Sequence, residues 1–368
     1  MDKYLITKNR ILALGSILIC FLIVFESACR KKEDPLIIYG SSPEPKLPAI
    51  PYQYPTMNSD IATLGRVLFY DRNLSLNGSI SCGSCHMQAF AFADNHQFSR
   101  GLNNSFTSRN SSAIFNSGHS KFWDGRAADF DTAVFMPVMN HLEMDVFNLN
   151  LLPVKLSTLS YYEPLFTTAY GNTIITTSKI KQALATFLSC LSSHDSKYDH
   201  QQLNGLERQG SALFCGKATC ANCHNGQDFN GWSDNYENIG LDVNYPDIGR
   251  GRITQDEFDY GKFNVPTLRN IELTAPYMHD GRYKTLREVI DHYSDGLQDS
   301  RNLSWILREV PEDSIQWDPF RGIMVNNPSQ YPMKRINLTE DEKRALEAFL
   351  NTLTDVSFIS DPRYSNPF

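Results

Sequence analysis

The chain predicts a mainly α protein built from two similar halves, with long irregular loops between the helices. Three observations predict this. Short motifs recur in the same order in both halves, each half closes on an amphipathic helix, and no alternating apolar run is long enough for a substantial sheet. With 368 residues, 41% of them hydrophobic, each half has enough apolar surface for a core. A formal charge of -7 argues against a nucleic-acid-binding surface, which needs clustered Lys and Arg.

The first element is an export signal over residues 1–29. Lys3, Lys8 and Arg10 precede an apolar run over 11–25, too short for a comfortable membrane span, and Glu26-Ser27-Ala28-Cys29 follows. Ala28 before Cys29, with a charged and Pro-rich stretch after it, matches a lipoprotein cleavage site whose cysteine is acylated. Glu26 departs from the small or apolar residue expected there, so a lipid tether at Cys29 and simple cleavage with release both stay open. Residues 30–60 read as a linker.

The next element is Cys82-Gly-Ser-Cys85-His86, and Cys220-Ala-Asn-Cys223-His224 repeats it. In Cys-x-x-Cys-His the two thiols can each form a thioether to a porphyrin vinyl group, while the histidine ligates the iron. A single copy also fits a zinc knuckle or a redox dithiol. Two copies behind an export signal favour haem, because zinc would need the Cys and His pairs gathered into one tetrahedral cluster. The expectation is two covalently bound haem c groups, on iron ligands His86 and His224. Of the eight cysteines, Cys20 and Cys29 fall in the export segment, and Cys190 and Cys215 read as buried thiols whose pairing stays open.

Around each motif the order is the same. The first half runs Arg109-Asn110, Trp123-Asp-Gly-Arg126, then Ala183 to Leu191; the second runs Arg269-Asn270, His279-Asp-Gly-Arg282, then Ala345 to Leu353. Leu184, Phe187, Leu188 and Leu191 form one helical stripe, and Leu346, Phe349, Leu350 and Leu353 form another. Thr339 with Glu342 makes a capping box for the second helix. The halves thus read as two c-type cytochrome domains related by internal duplication, over 61–198 and 199–357, with the boundary near 198–204 and a tail over 358–368.

The repeat also compares the far side of each haem. The eleventh residue after each Asp-Gly-Arg arginine is Pro137 in the first half and Tyr293 in the second. Proline offers iron nothing; a tyrosine phenolate is a haem ligand. The first iron is then open and the second closed. Met278 and His292 are rival ligands for the second, and Met136 and Met139 could cap the first, though packing is the plainer role for both. Glu143 can reach the space beyond Pro137 and move a proton between the two oxygens of peroxide. His96 and His141 are alternative groups there, each more in character as a surface histidine.

These residues resemble the bacterial di-haem cytochrome c peroxidase and MauG-type family over 64–355. The resemblance is carried by Leu64-Gly-Arg-Val-Leu-Phe-Tyr-Asp71, Phe122-Trp-Asp-Gly-Arg126, Pro137 with Glu143-Met144, Val265-Pro-Thr-Leu-Arg-Asn270 and Thr274-Ala-Pro-Tyr-Met-His-Asp-Gly281. It implies a peroxidatic N-terminal haem and an electron-transferring C-terminal one. Trp123 would assist electron transfer between them and Glu143 would be the distal acid. Tyr293 falls where the classical peroxidases carry methionine and the MauG-type branch carries tyrosine. It also implies a calcium ion between the domains, with Asn110, Thr274 and Pro276 at the matching positions. Ala133 stands where the family usually has a glutamine, and the sequence has no clear match to the distal histidine that closes the peroxidatic haem in the oxidised classical enzymes.

The expectation is an exported, periplasmic or cell-envelope peroxidase that reduces hydrogen peroxide with electrons from a small cytochrome c or cupredoxin. A MauG-like enzyme oxidising residues of a protein partner, and an electron-transfer cytochrome without turnover, are the alternatives. Homodimerisation stays open.

Overall fold

The computed structural model describes residues 45–46, 59–116, 122–231, 235–318, 322–325 and 327–368. The export signal, Cys20, Cys29 and most of the 30–60 linker lie outside the described residues. Helix α1 (Ser59–Tyr70) carries Asp60 in its first turn, where a carboxylate meets the positive end of the helix dipole, and buries Leu64, Val67 and Leu68. The short α2 (Cys82–Cys85) holds the first cysteine motif. Helix α3 (Phe130–Met139) is capped by the Asp129 side chain and ends two residues after Pro137, whose ring removes a helical N–H. Then come α4 (Leu151–Ser157), α5 (Tyr162–Tyr170) and α6 (Thr177–Cys190). Leu184, Phe187, Leu188 and Leu191 are all buried, as their spacing requires.

The second half is also mainly helical. Helix α7 (Gly205–Cys215) opens on a capping box: Glu207 N–H donates to Asn204 Oδ1 at 3.0 Å, and Asn204 N–H donates to the Glu207 carboxylate at 2.7 Å. After α8 (Gly251–Thr254) and α9 (Leu286–Asp291), helix α10 (Glu340–Asn351) starts on the expected Thr339–Glu342 box. It buries Leu346, Phe349 and Leu350, with Leu353 just beyond. Each such side chain taken from water contributes about 1.5–3 kcal/mol.

The same close crossing holds both helix pairs. In α1, a Cβ on Gly65 would strike the Ala183 carbonyl and the Phe187 side chain of α6; in α7, a Cβ on Gly210 would strike the Ala345 carbonyl and Phe349 of α10. Only glycine allows backbones to approach this far.

Strands are brief, and the fold is mainly α. Two antiparallel pairs occur among the described residues: β1 (Tyr236–Glu237) with β2 (Phe263–Asn264), and β3 (Ile315–Asp318) with β4 (Gly322–Val325). One apolar cluster gathers around Phe69, Phe92 and Phe187, another around Phe214, Phe229 and Phe349. Ser41–Phe368 nevertheless group as one unit. The last residues, expected as a tail over 358–368, instead return to the first cluster. Helix α11 (Val356–Ser360) sets Phe358 against Phe92, and Tyr70 Oη donates to the Tyr364 carbonyl at 2.7 Å. No helix among the described residues is long and apolar enough to cross a membrane.

Candidate active site

The single turn of α2 brings Cys82 and Cys85 to one side, and His86 follows at its end, its N–H donating to the Cys82 carbonyl at 2.9 Å. Gly83 is required here, because a Cβ would enter the Tyr70 ring packed over the turn. The second motif forms a similar turn over Cys220–Asn222, and His224 N–H donates to the Cys220 carbonyl at 2.9 Å.

Both histidines are held in the same way. His86 Nδ1 lies 2.9 Å from the Phe92 carbonyl, and His224 Nδ1 lies 2.9 Å from the Phe229 carbonyl. A carbonyl only accepts, so Nδ1 carries the proton and Nε2 keeps the lone pair a metal needs. Burial lowers the pKa of both rings, which also favours the neutral, ligating form. Burial pushes Cys82, Cys220 and Cys223 up to about 12 and Cys85 up to about 11. No cluster of three or more His, Cys, Asp or Glu set for a metal ion occurs among the described residues. Thioether attachment of a porphyrin suits the four cysteines.

At the second motif the donors face a cavity of about 300 Å³, which Cys220, Cys223, His224, Tyr293, Met278 and Trp123 help to line. Tyr293 sits on a π turn, His292–Gly296, that continues α9, and π turns of this kind recur at functional positions. Its phenol is raised far above the ordinary tyrosine value, first by burial and then by the Cys223 and Cys220 sulfurs. That shift favours the neutral phenol; a phenolate there would need a cation beside it. Met278 shares the cavity, on a backbone with φ of 75° that is strained for a residue bearing a Cβ. His292, expected as a third rival, is turned away: its Nε2 faces the Ile239 carbonyl at 2.9 Å and its Nδ1 the Tyr283 hydroxyl at 3.2 Å.

At the first motif, Glu143 is half-buried with Asn140 Nδ2 donating to its Oε1 at 2.7 Å. Burial raises its pKa, while Asn140 and Arg126 pull against the shift; it lies close enough to Cys82 and Cys85 to raise their thiols too. Pro137 belongs to the same turn, its carbonyl accepting from Met144 N–H at 3.3 Å. His96 and His141 are exposed, His96 paired to Asp94 at 2.8 Å, and Met139 is exposed as well. Ala133 is half-buried in α3. Cys190 is buried as expected, whereas Cys215 is exposed at the end of α7, where the chain leaves the core.

Trp123 joins residues of both halves. Its Nε1 donates to the Asn110 carbonyl at 2.9 Å and its own carbonyl accepts from Asn264 N–H at 2.7 Å. Behind it Arg109 bridges Asp124 and Asp247, both at 2.6 Å; against the cost of burial, Arg109 draws Asp247 down to about 2. Asn110, Thr274 and Pro276 line the same cavity as Trp123. The Asn110 amide donates to the His96 and Gln97 carbonyls, at 3.1 and 3.3 Å, which turns its Oδ1 the other way.

Two further residues line the second cavity. Glu237, in β1, is a carboxyl in the wall of the second cavity, its pKa raised by burial; a two-residue strand leaves no periodicity to mark it. His279 stacks on Phe263 with ring centres 3.7 Å apart and 12° between planes, and its place opposite Trp123 in the repeat was the available signal.

A family model for di-haem cytochrome c peroxidase matches residues 59–208. Cytochrome c551 peroxidase of Nitrosomonas europaea is 36% identical over 64% of this chain and 72% of its own length. MauG of Methylorubrum extorquens is 32% identical over 79% of this chain and 77% of its own. The chain belongs to the di-haem cytochrome c peroxidase family. It is therefore an oxidoreductase of the peroxidase type, and membership implies two haem c groups, which the two Cys-x-x-Cys-His turns and their His–carbonyl pairs fit. A solved MauG-like protein associated with microbial copper homeostasis superposes with a TM-score of 0.70 at 32% identity, over 89% of this chain and 97% of that one. The diheme peroxidase BthA of Burkholderia thailandensis, 19% identical with a TM-score of 0.63, shares the fold.

Proposed function

We propose that the chain is an exported di-haem peroxidase that reduces hydrogen peroxide to water with electrons from a small redox protein. When bound, the two haems supply the electron storage and the iron at which peroxide is reduced. Cys82 and Cys85 tether one group and Cys220 and Cys223 the other, with Nε2 of His86 and of His224 as proximal ligands. Glu143 takes the proton from the inner peroxide oxygen and returns it to the outer one, which leaves as water. Trp123 would bridge the two sites for electron transfer, and Tyr293 would be the second protein ligand of the haem tethered at Cys220 and Cys223.

The carrying observation is the asymmetry of the two sites: matched histidines, but a half-buried carboxyl of raised pKa at the first and a half-buried phenol of raised pKa at the second. Two cytochrome domains, over 61–198 and 199–357, arisen by duplication, are supported by the paired glycine crossings and the paired histidine bonds. Asn110, Thr274 and Pro276 are the positions for an interdomain calcium, which suits their shared cavity wall and the free side of the Asn110 amide oxygen. Residues 1–29 would direct export, with Cys29 the point of any lipid tether. A reduced small cytochrome c or cupredoxin is the donor class.

The test is peroxide consumption by the purified holoprotein with a reduced small cytochrome, alongside its ferric spectrum. One high-spin and one low-spin haem, with turnover well above free haem, are expected. Turnover no better than free haem, or two identical low-spin haems, overturns the reading. Tyr293 in the second cavity also favours a MauG-like reading, in which peroxide equivalents oxidise a protein partner. Retained peroxide reactivity with no oxidation of the reduced cytochrome would select it.

A further inference from the structure

The carbonyls that orient the two motif histidines come from residues in the same uncommon backbone state. Phe92 has a φ of 58° and Phe229 a φ of 52°, left-handed values that a bulky residue keeps only where its surroundings hold it. Both rings are buried, so the packing around each ring fixes the carbonyl. Part of that packing is equivalent in the two halves. Phe69 of α1 meets Phe92 with ring centres 6.1 Å apart, and Phe214 of α7 meets Phe229 at 5.8 Å.

A further ring at each site comes from the segment that follows the terminal helix of the opposite half. Phe358, beyond α10, meets Phe92 at 5.4 Å; Tyr198, beyond α6, meets Phe229 at 5.2 Å. Both segments are tied in place. Tyr198 N–H donates to the Thr352 carbonyl at 3.0 Å, and Phe358 N–H to Asp355 Oδ1 at 2.9 Å. The Gln88 amide, in the turn between His86 and Phe92, donates to the Phe358 and Asp361 carbonyls at 3.2 and 2.8 Å.

We propose that the halves exchange aromatic clamps. Phe358 and Tyr198 are positioning residues that fix, through Phe92 and Phe229, the hydrogen bond to the proximal histidine of the other half. The proposal rests on the reading of His86 and His224 as proximal ligands. A firm bond from Nδ1–H to a carbonyl makes an imidazole a stronger electron donor and so favours ferric iron. Without the outer ring the left-handed phenylalanine relaxes, the bond lengthens, and the potential of that haem rises. Each potential is thus set in part by the half that does not carry the haem.

The experiment uses the holoprotein and reads two quantities. Resonance Raman of the reduced protein gives the iron–histidine stretching band of the open first haem, and spectroelectrochemistry gives both midpoint potentials. In Phe358→Leu the band should move to lower frequency and the first potential should rise, with the second unchanged. In Tyr198→Leu the second potential should rise with the band unchanged, and Tyr198→Phe, which keeps the ring, should match wild type. Lost stability alone would not sort by haem in this crossed way. Where Phe358→Leu fails to fold, Gln88→Leu releases the same segment without emptying the core and should move the same band. An unmoved band in the variant read at the first site, or an unmoved second potential in Tyr198→Leu, overturns the exchange alone. The first outcome would leave the orientation of His86 to Ser111, whose Oγ lies 3.3 Å from Nδ1. Wild-type reduced protein with no iron–histidine band overturns the reading of His86 as proximal ligand of an open iron, and the exchange with it.

Discussion

A carboxyl serves peroxide cleavage only if it both takes and gives a proton, so its pKa must lie above that of an exposed glutamate. Burial moves Glu143 in that direction, with Asn140 limiting the shift and orienting the group. Glu143→Gln keeps the shape and removes the proton transfer; peroxide turnover should fall by about 100-fold or more, the usual share of a general acid–base. Stopped-flow peroxide consumption measures it, and turnover equal to wild type would remove Glu143 from the mechanism. At the second site the charge of the ligand matters more. A phenolate favours ferric iron and a thioether favours ferrous iron, so Tyr293→Met should raise the midpoint potential of that haem in a spectroelectrochemical titration. An unmoved potential would point to Met278, already in the cavity, as the ligand.

Among the elements, the two glycine crossings position the sites. Helix α10 must lie against α7 within backbone contact for Phe349 to pack on Phe214 and Phe229, the residue whose carbonyl orients His224. Phe349→Ala, which empties the centre of that cluster, should cost about 3–5 kcal/mol in denaturant unfolding. Gly210→Val should separate the helices and reduce haem retention at the second site more than at the first, as read by the two haem spectra. Gly65→Val should do the reverse. These helices were legible because an apolar residue every three or four positions, with Thr339 and Glu342 at a start, reports a local rule of helix geometry. The π turn bearing Tyr293 carried no such mark.

Across the molecule, Arg109 ties Asp124 of the first half to Asp247 of the second, behind Trp123. The folded pKa of Asp247, about 2, is below its unfolded value near 3.9, so this pair stabilises the fold above about pH 4 and loses that contribution as pH falls towards 2. Asp247→Asn should therefore flatten the acid limb of the melting-temperature profile between about pH 4 and pH 2. An unchanged acid limb would mean that the pair does not couple the halves.

The sequence by itself determined the chemistry that depends on neighbours along the chain. Two thiols three residues apart with a histidine next specify a tether and a ligand, and the repeated order of Arg-Asn, Asp-Gly-Arg and apolar helix marks corresponding places in the halves. What depends on groups distant in the chain was decided only by the tertiary structure. The Ile239 carbonyl and the Tyr283 hydroxyl occupy both nitrogens of His292, removing it as an iron ligand. Asn264 and Asp247 join the surroundings of Trp123 from the other half, Glu237 lines the wall of the second cavity, and Phe358 with Tyr364 returns to the first core. Burial and hydrogen-bond partnership are properties of the packed chain, and they separate two iron sites whose motifs are alike.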